Sequence, residues 1–138
     1  MTYNDVLHIY GMSRAGYIPQ LFSLRLSNPT VIFELLCKAD AKALVYDASF
    51  ASFLSQSPVP THLAIKVGKT HIMGGPLPEM PTVEHRDQTV LIMHTSGSTS
   101  GSPKLVPCSA TWLDAIVNKA YQVGRPQDTA RQDVCVWM

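Results

Sequence analysis

The sequence predicts an α/β fold, because amphipathic helical stretches alternate with short apolar strands along the chain. Three observations carry that expectation. Capped helical stripes begin at Thr2, Asn28 and Ser109; apolar runs too short for helices stand at 43–46, 62–67 and 89–94; Gly and Pro punctuate the intervals. A partial sheet, mostly parallel and flanked by helices, is the expected arrangement. A length of 138 residues allows one domain and not two.

The elements follow in order. Thr2 caps the first helix with Asp5 three positions on, and Tyr3, Val6, Leu7 and Tyr10 share one face. Gly16 ends it, and Tyr17 to Leu24 reads as extended, with Pro19 arguing against a central strand. Asn28 is a good N-cap for the second helix, Pro29 suits its first position, and Ile32, Leu35, Leu36 and Ala39 form its stripe. Ala43 to Tyr46 is a short buried strand, after which Asp47 caps a short helix burying Phe50, Phe53 and Leu54. His62 to Val67 is the next strand. Residues 68–88 form an irregular, proline-rich surface connection, with apolar strands on both sides. Thr89 to His94 is a strand whose Val90-Leu91-Ile92-Met93 run suits burial on both faces. Ser109 caps the clearest helix, packed into the core by Trp112, Ile116, Ala120 and Val123, and Gly124 with Pro126 stops it.

Composition narrows the function. Eleven Lys and Arg against ten Asp and Glu leave a net charge of +1, with no basic stripe for nucleic-acid phosphates. No apolar run approaches the roughly 20 residues that cross a bilayer, and Met1 to Tyr10 reads as no signal peptide. Three scattered cysteines, Cys37, Cys108 and Cys135, fit small buried hydrophobes in a reducing compartment, so a cytoplasmic setting is expected. Charged residues make up only 15%, against about 25% in typical domains. The sequence also closes on the apolar run Val134 to Met138, which nothing later covers. These two features give the expectation that the 138 residues are a piece of a larger fold.

One segment carries chemistry. Thr95 to Ser102 is an unbroken run of small hydroxyl and glycine residues, closed by Pro103-Lys104. Such a tract can be a flexible linker. This one leaves an apolar strand and leads through Leu105 and Val106 to a capped helix, which holds it between core elements. Backbone N–H groups, hydroxyls and one lysine in such a loop are the parts of a polyphosphate site. It is not a Walker A loop, since Leu63 stands where the first glycine before Gly68-Lys69-Thr70 belongs, and no G-x-G-x-x-G is present.

Thr95-Ser96-Gly97-Ser98-Thr99, followed by Gly101-Ser102-Pro103-Lys104, resembles the Thr-Ser-Gly-Ser-Thr-Gly-x-Pro-Lys loop of the adenylate-forming (AMP-dependent synthetase/ligase) superfamily. Arg14-Ala15-Gly16-Tyr17-Ile18-Pro19 is similar to that family's upstream Ala-Gly-Tyr-Val-Pro segment, in the right order and separation. His94 and Trp112 look most like the fungal reductase-type, non-ribosomal-peptide-synthetase-like relatives. There are departures: Ser100 is one residue more than the usual spacing, and Leu105 stands where many relatives have Gly. The resemblance covers the middle of the N-terminal subdomain, so residues 1–138 are expected to be a partial AMP-binding domain, without the later adenine, ribose and magnesium motifs.

The resemblance implies ATP with Mg2+ as cofactors, and a carboxylic acid activated as its acyl-adenylate in a full-length parent. Thr95, Ser96, Gly97, Ser98, Thr99 and Gly101 would wrap the phosphates, and Lys104 would pair with the departing pyrophosphate. The rest of the adenylation domain, or another chain, would be the physical partner. Two other readings stay open: a nucleotide- or phosphate-binding module without catalysis, and a vestigial product with no ligand. Outside the loop the residues offer less. His62 and His71, like His85 and His94, are nine apart, a spacing of neither a helix face nor a zinc finger. His94 abuts the loop and could pack against nucleotide. Glu84 and Asp87 lack partners for acid–base work.

Overall fold

The computed structural model describes residues 3–23, 26, 28–66, 68, 75–77, 79–97 and 103–123. Helix α1 (Tyr3–Arg14) is followed by α2 (Pro29–Lys38), strand β1 (Leu44–Tyr46), a 3-10 helix (Ala48–Phe53) and strand β2 (Thr61–Leu63). Strands β3 (Thr89–His94) and β4 (Leu105–Ser109) then lead into helix α3 (Ala110–Val123). The expected cap at Thr2, the stop at Gly124 and the apolar run from Val134 lie outside the described residues.

Local chemistry accounts for the helix ends. At the end of α1, Gly16 takes φ +87° while its N–H bonds to the Ser13 carbonyl and the Tyr17 N–H to Met12. This is a Schellman closure, for which the left-handed residue is best a glycine. The end of α2 repeats it with a non-glycine: Asp40 stands at φ +51°, bonded to Cys37, with the Ala41 N–H on Leu36. At the start of α2, Asn28 Oδ1 accepts the Thr30 N–H at 3.0 Å and Pro29 takes the first helical position. Asp47 caps the 3-10 helix through the Ser49 N–H and hydroxyl, at 3.0 and 2.8 Å.

The sheet is in two pieces. β1 and β2 run parallel, Val45 opposite His62, joined by the 3-10 helix. β3 and β4 form an antiparallel hairpin, from Thr89 opposite Ser109 to His94 opposite Leu105, with a register shift between Thr89 and Leu91. The free edge of β3 takes up the chain after α1: the Ile92 N–H bonds to the Pro19 carbonyl and the Leu21 N–H to the Ile92 carbonyl, a parallel bridge. Among the described residues β3 is thus central and β4 an edge. That explains Pro107, which stands opposite Ile92, the residue whose backbone groups point to the other neighbour. No donor is required of proline there. The strand at 105–109 adds an element that the sequence analysis does not predict.

The core is small. Leu35, Leu36, Leu54 and Cys108 are the buried hydrophobics among the described residues, with Pro19 also enclosed. Several expectations are corrected. β3 is half-buried along its length, not covered on both faces. Phe53 is exposed although Leu54 beside it is buried. Tyr3 and Tyr10 of α1 face solvent, as does Cys37. The α3 stripe is the largest departure: α3 packs on β3 and β4, yet Trp112, Ile116 and Val123 are 39%, 47% and 55% exposed. Periodicity marks which face of a helix is apolar, and cannot supply the surface that would cover it.

Candidate functional site

The Gly/Ser/Thr loop sits at the tip of the β3–β4 hairpin. Beyond the last strand pair, His94 opposite Leu105, one further pair closes its base in both directions. The Thr95 N–H donates to the Lys104 carbonyl at 2.9 Å, and the Lys104 N–H donates to Thr95 Oγ1 at 3.0 Å. Gly97 is buried at φ +71° and Pro103 is buried on the return side. At Gly97 an L-side chain would be strained, which makes glycine a requirement of the loop's path.

Of the expected phosphate ligands, Thr95, Ser96, Gly97 and Lys104 are placed together at this base. Ser98, Thr99, the extra Ser100 and Gly101 lie outside the described residues. Lys104 is exposed, and no described carboxylate pairs with its ammonium; the ion pairs found are Lys38–Glu34, Lys42–Asp40 and Arg86–Asp114. Leu105, the departure after the lysine, is half-buried as the first residue of β4. Cys108 is buried, with its thiol toward the Val106 carbonyl at 3.6 Å, and so is a packing residue.

The donors for an anion have to come from the loop, not from the helix after it. β4 separates the loop from α3 by five residues, about 16 Å of extended chain. The first α3 N–H groups are already occupied: Ala110 bonds to the Gln88 carbonyl, Thr111 to Arg86, and Trp112 to Ser109 Oγ at 3.2 Å. The helix N-terminus is therefore closed by the chain itself, unlike a Walker-type site where it faces phosphate.

Two groups at the site were not assigned a structural role from sequence. His94 accepts the Ser23 N–H on Nε2 at 3.0 Å, and its Nδ1 lies 3.1 Å from the Thr95 carbonyl. The Phe22 ring stacks on it at a tilt, centroids 5.9 Å apart. With both nitrogens on backbone groups, the imidazole offers a nucleotide a ring face only. The Pro19-to-Ser23 stretch is the second: it runs beside β3, so the end of the upstream motif and the strand leading into the loop, remote in sequence, meet. The hidden signal was Pro19 to Phe22, whose pairing partner was not specified by its own residues.

The fold and the loop define an α/β segment that presents a glycine- and hydroxyl-rich hairpin tip beside an exposed lysine. No family model matches the chain. Among curated proteins it is 33% identical to the AMP-binding domain-containing enzyme iboA of Amanita muscaria, over 92% of this chain and 26% of the relative. Among solved structures it is similar to o-succinylbenzoate CoA synthetase of Bacillus subtilis. The complex of that protein with the acyl-adenylate intermediate OSB-AMP gives a TM-score of 0.65 at 21% identity, over 92% of this chain and 32% of that one. A double mutant bound to the product analogue OSB-NCoA gives 0.66 at 22%, over 91% and 25%. The chain is thus homologous to part of an AMP-binding domain-containing enzyme, and its fold matches part of an adenylate-forming protein. It spans between a quarter and a third of the length of these relatives.

Proposed function

We propose that this segment supplies the ATP phosphate-binding loop of an adenylating domain that activates a carboxylic acid. The observation that carries the reading is the two-way Thr95–Lys104 closure. It brings the two ends of the loop together at a strand end, with an exposed ammonium beside them that no described carboxylate pairs with. Thr95, Ser96, Gly97, Ser98, Thr99 and Gly101 receive the β- and γ-phosphates through N–H and O–H donors, and Lys104 stabilises the charge that builds on pyrophosphate. The acid's carboxylate oxygen attacks the α-phosphorus, the bond to the bridging oxygen breaks, and acyl-adenylate and pyrophosphate result. Positioning and charge stabilisation are all that such a step asks of these residues.

Mg2+ enters this reading with the nucleotide. No three His, Cys, Asp or Glu side chains come together among the described residues. The hydroxyl and backbone oxygens present fit an ion that keeps its waters and is held on phosphate oxygens, where it would neutralise charge. The reductase-type relationship read from His94 and Trp112, and the cytoplasmic setting, belong to the same proposal; no described helix is long and apolar enough to cross a membrane.

The test is calorimetric titration of the 138-residue chain with MgATP and with pyrophosphate, beside carboxylate-driven ATP–pyrophosphate exchange. Binding that weakens about tenfold in Lys104→Ala is expected, the scale of one charge-assisted hydrogen bond. The 138 residues alone are expected to show no exchange, and a polypeptide that also supplies the remainder of the domain is expected to show it. Binding without exchange in that longer polypeptide would favour the non-catalytic module. No binding of either ligand would refute the phosphate-loop reading.

A further inference from the structure

His94 sits at a junction that no loop residue explains. Its ring lies between the strand-like stretch after α1 and the first residue of the loop, and each nitrogen meets a backbone group of one of them. The partners settle the proton. The Ser23 N–H can only donate, so Nε2 accepts; the Thr95 carbonyl can only accept, so Nδ1 carries the hydrogen. Thr95 is in turn the residue that Lys104 clasps in both directions. A continuous series of hydrogen bonds therefore runs from Ser23 through the His94 ring to the Thr95 carbonyl, and from Thr95 to the backbone of Lys104. The Phe22 ring against the imidazole limits its rotation.

We propose that His94 is a positioning residue which, as the neutral Nδ1–H tautomer, ties the base of the loop to residues 19–23 and so sets the direction in which the loop's donors point. It touches no reacting atom. Its consequence for nucleotide rests on the phosphate-loop reading above, whereas the clasp itself is a property of the free chain. Residues 19–23, which continue the Ala-Gly-Tyr-like stretch, acquire a role in the same way: they are the wall against which the base of the loop is braced.

The experiment uses the 138-residue chain, its His94→Phe variant, which keeps a ring against Phe22 without hydrogen bonds, and His94→Asn, whose amide can still donate to the Thr95 carbonyl. Nitrogen-15 NMR of the wild-type imidazole reads the tautomer, amide hydrogen exchange reads Ser23, and calorimetry reads ATP affinity. A protonated Nδ1 with a bare Nε2 is expected. In His94→Phe the Ser23 amide exchanges about tenfold faster and ATP binds about tenfold more weakly, the scale of one or two net hydrogen bonds. In His94→Asn the affinity recovers to within about threefold of wild type. An Nε2–H tautomer would overturn the proposal without any variant. So would wild-type ATP affinity in His94→Phe. If neither protein binds ATP while Ser23 loses protection in His94→Phe, the clasp stands and the phosphate-loop reading falls.

Discussion

Replacing Leu36 by alanine and Ile116 by alanine removes the same number of carbon atoms from two helices, and the structure gives the two changes different costs. Leu36 is 2% exposed, against 47% for Ile116. Three buried methyl or methylene groups are worth about 2.4 kcal/mol of transfer free energy, and a core site adds a cavity term, so Leu36→Ala costs about 3 kcal/mol. At Ile116 about half the transfer term applies, no cavity remains because water enters, and alanine regains some helix propensity, leaving less than about 1 kcal/mol. Urea unfolding followed by far-ultraviolet circular dichroism, at two protein concentrations, measures both. Equal costs for the two variants would refute the reasoning, since the α3 face would then be covered in solution. A cost at Ile116 that rises with concentration would place a second copy on it.

Two further outcomes follow from the caps. Asp40 holds φ +51° at the end of α2 and its ion pair with Lys42 is exposed on both sides, so Asp40→Gly relieves more strain than it loses and raises stability by about 0.5 kcal/mol. Asp40→Ala, lacking both the permissive backbone and the polar side chain, lowers it by about 1 kcal/mol; the same urea midpoints distinguish the signs. The Ser49 N–H, followed by the Ser49 hydroxyl, holds the Asp47 carboxyl below its ordinary value of 3.8, with Lys66 assisting and burial opposing. A depressed carboxylate stabilises the fold above that value and ceases to do so as pH falls through the lowered one. Stability measured from about pH 6 down to about pH 3 declines more steeply in wild type than in Asp47→Asn, and parallel curves would contradict the cap.

The candidate loop could be picked out because its composition is local. A run from Thr95 to Lys104 of small donors, two glycines and one lysine marks a candidate anion loop by composition, and the strand of Thr89 to His94 announces where it is anchored. The Asn28 and Asp47 caps were legible for the same reason, since each acts within two residues of itself. What escaped was cross-chain. β4 contains Pro107, which excludes a central strand but not an edge, and nothing near position 107 says which it is. The role of His94 was concealed because its partner, Ser23, is 71 residues away.

The same distinction separates what each level of description determines. The caps at Asn28, Asp47 and Ser109, the helix end at Gly16 and the composition of the hydroxyl-rich loop follow from side chains acting on their own backbone within a few residues, and the sequence by itself determined them. Tertiary structure alone decided that the stretch after α1 pairs with β3, that His94 joins that stretch to the loop, and that Trp112, Ile116 and Val123 lie open. Amphipathic pattern records which atoms avoid water. Burial depends on whether another surface is present to exclude it, which no residue of α3 can determine by itself.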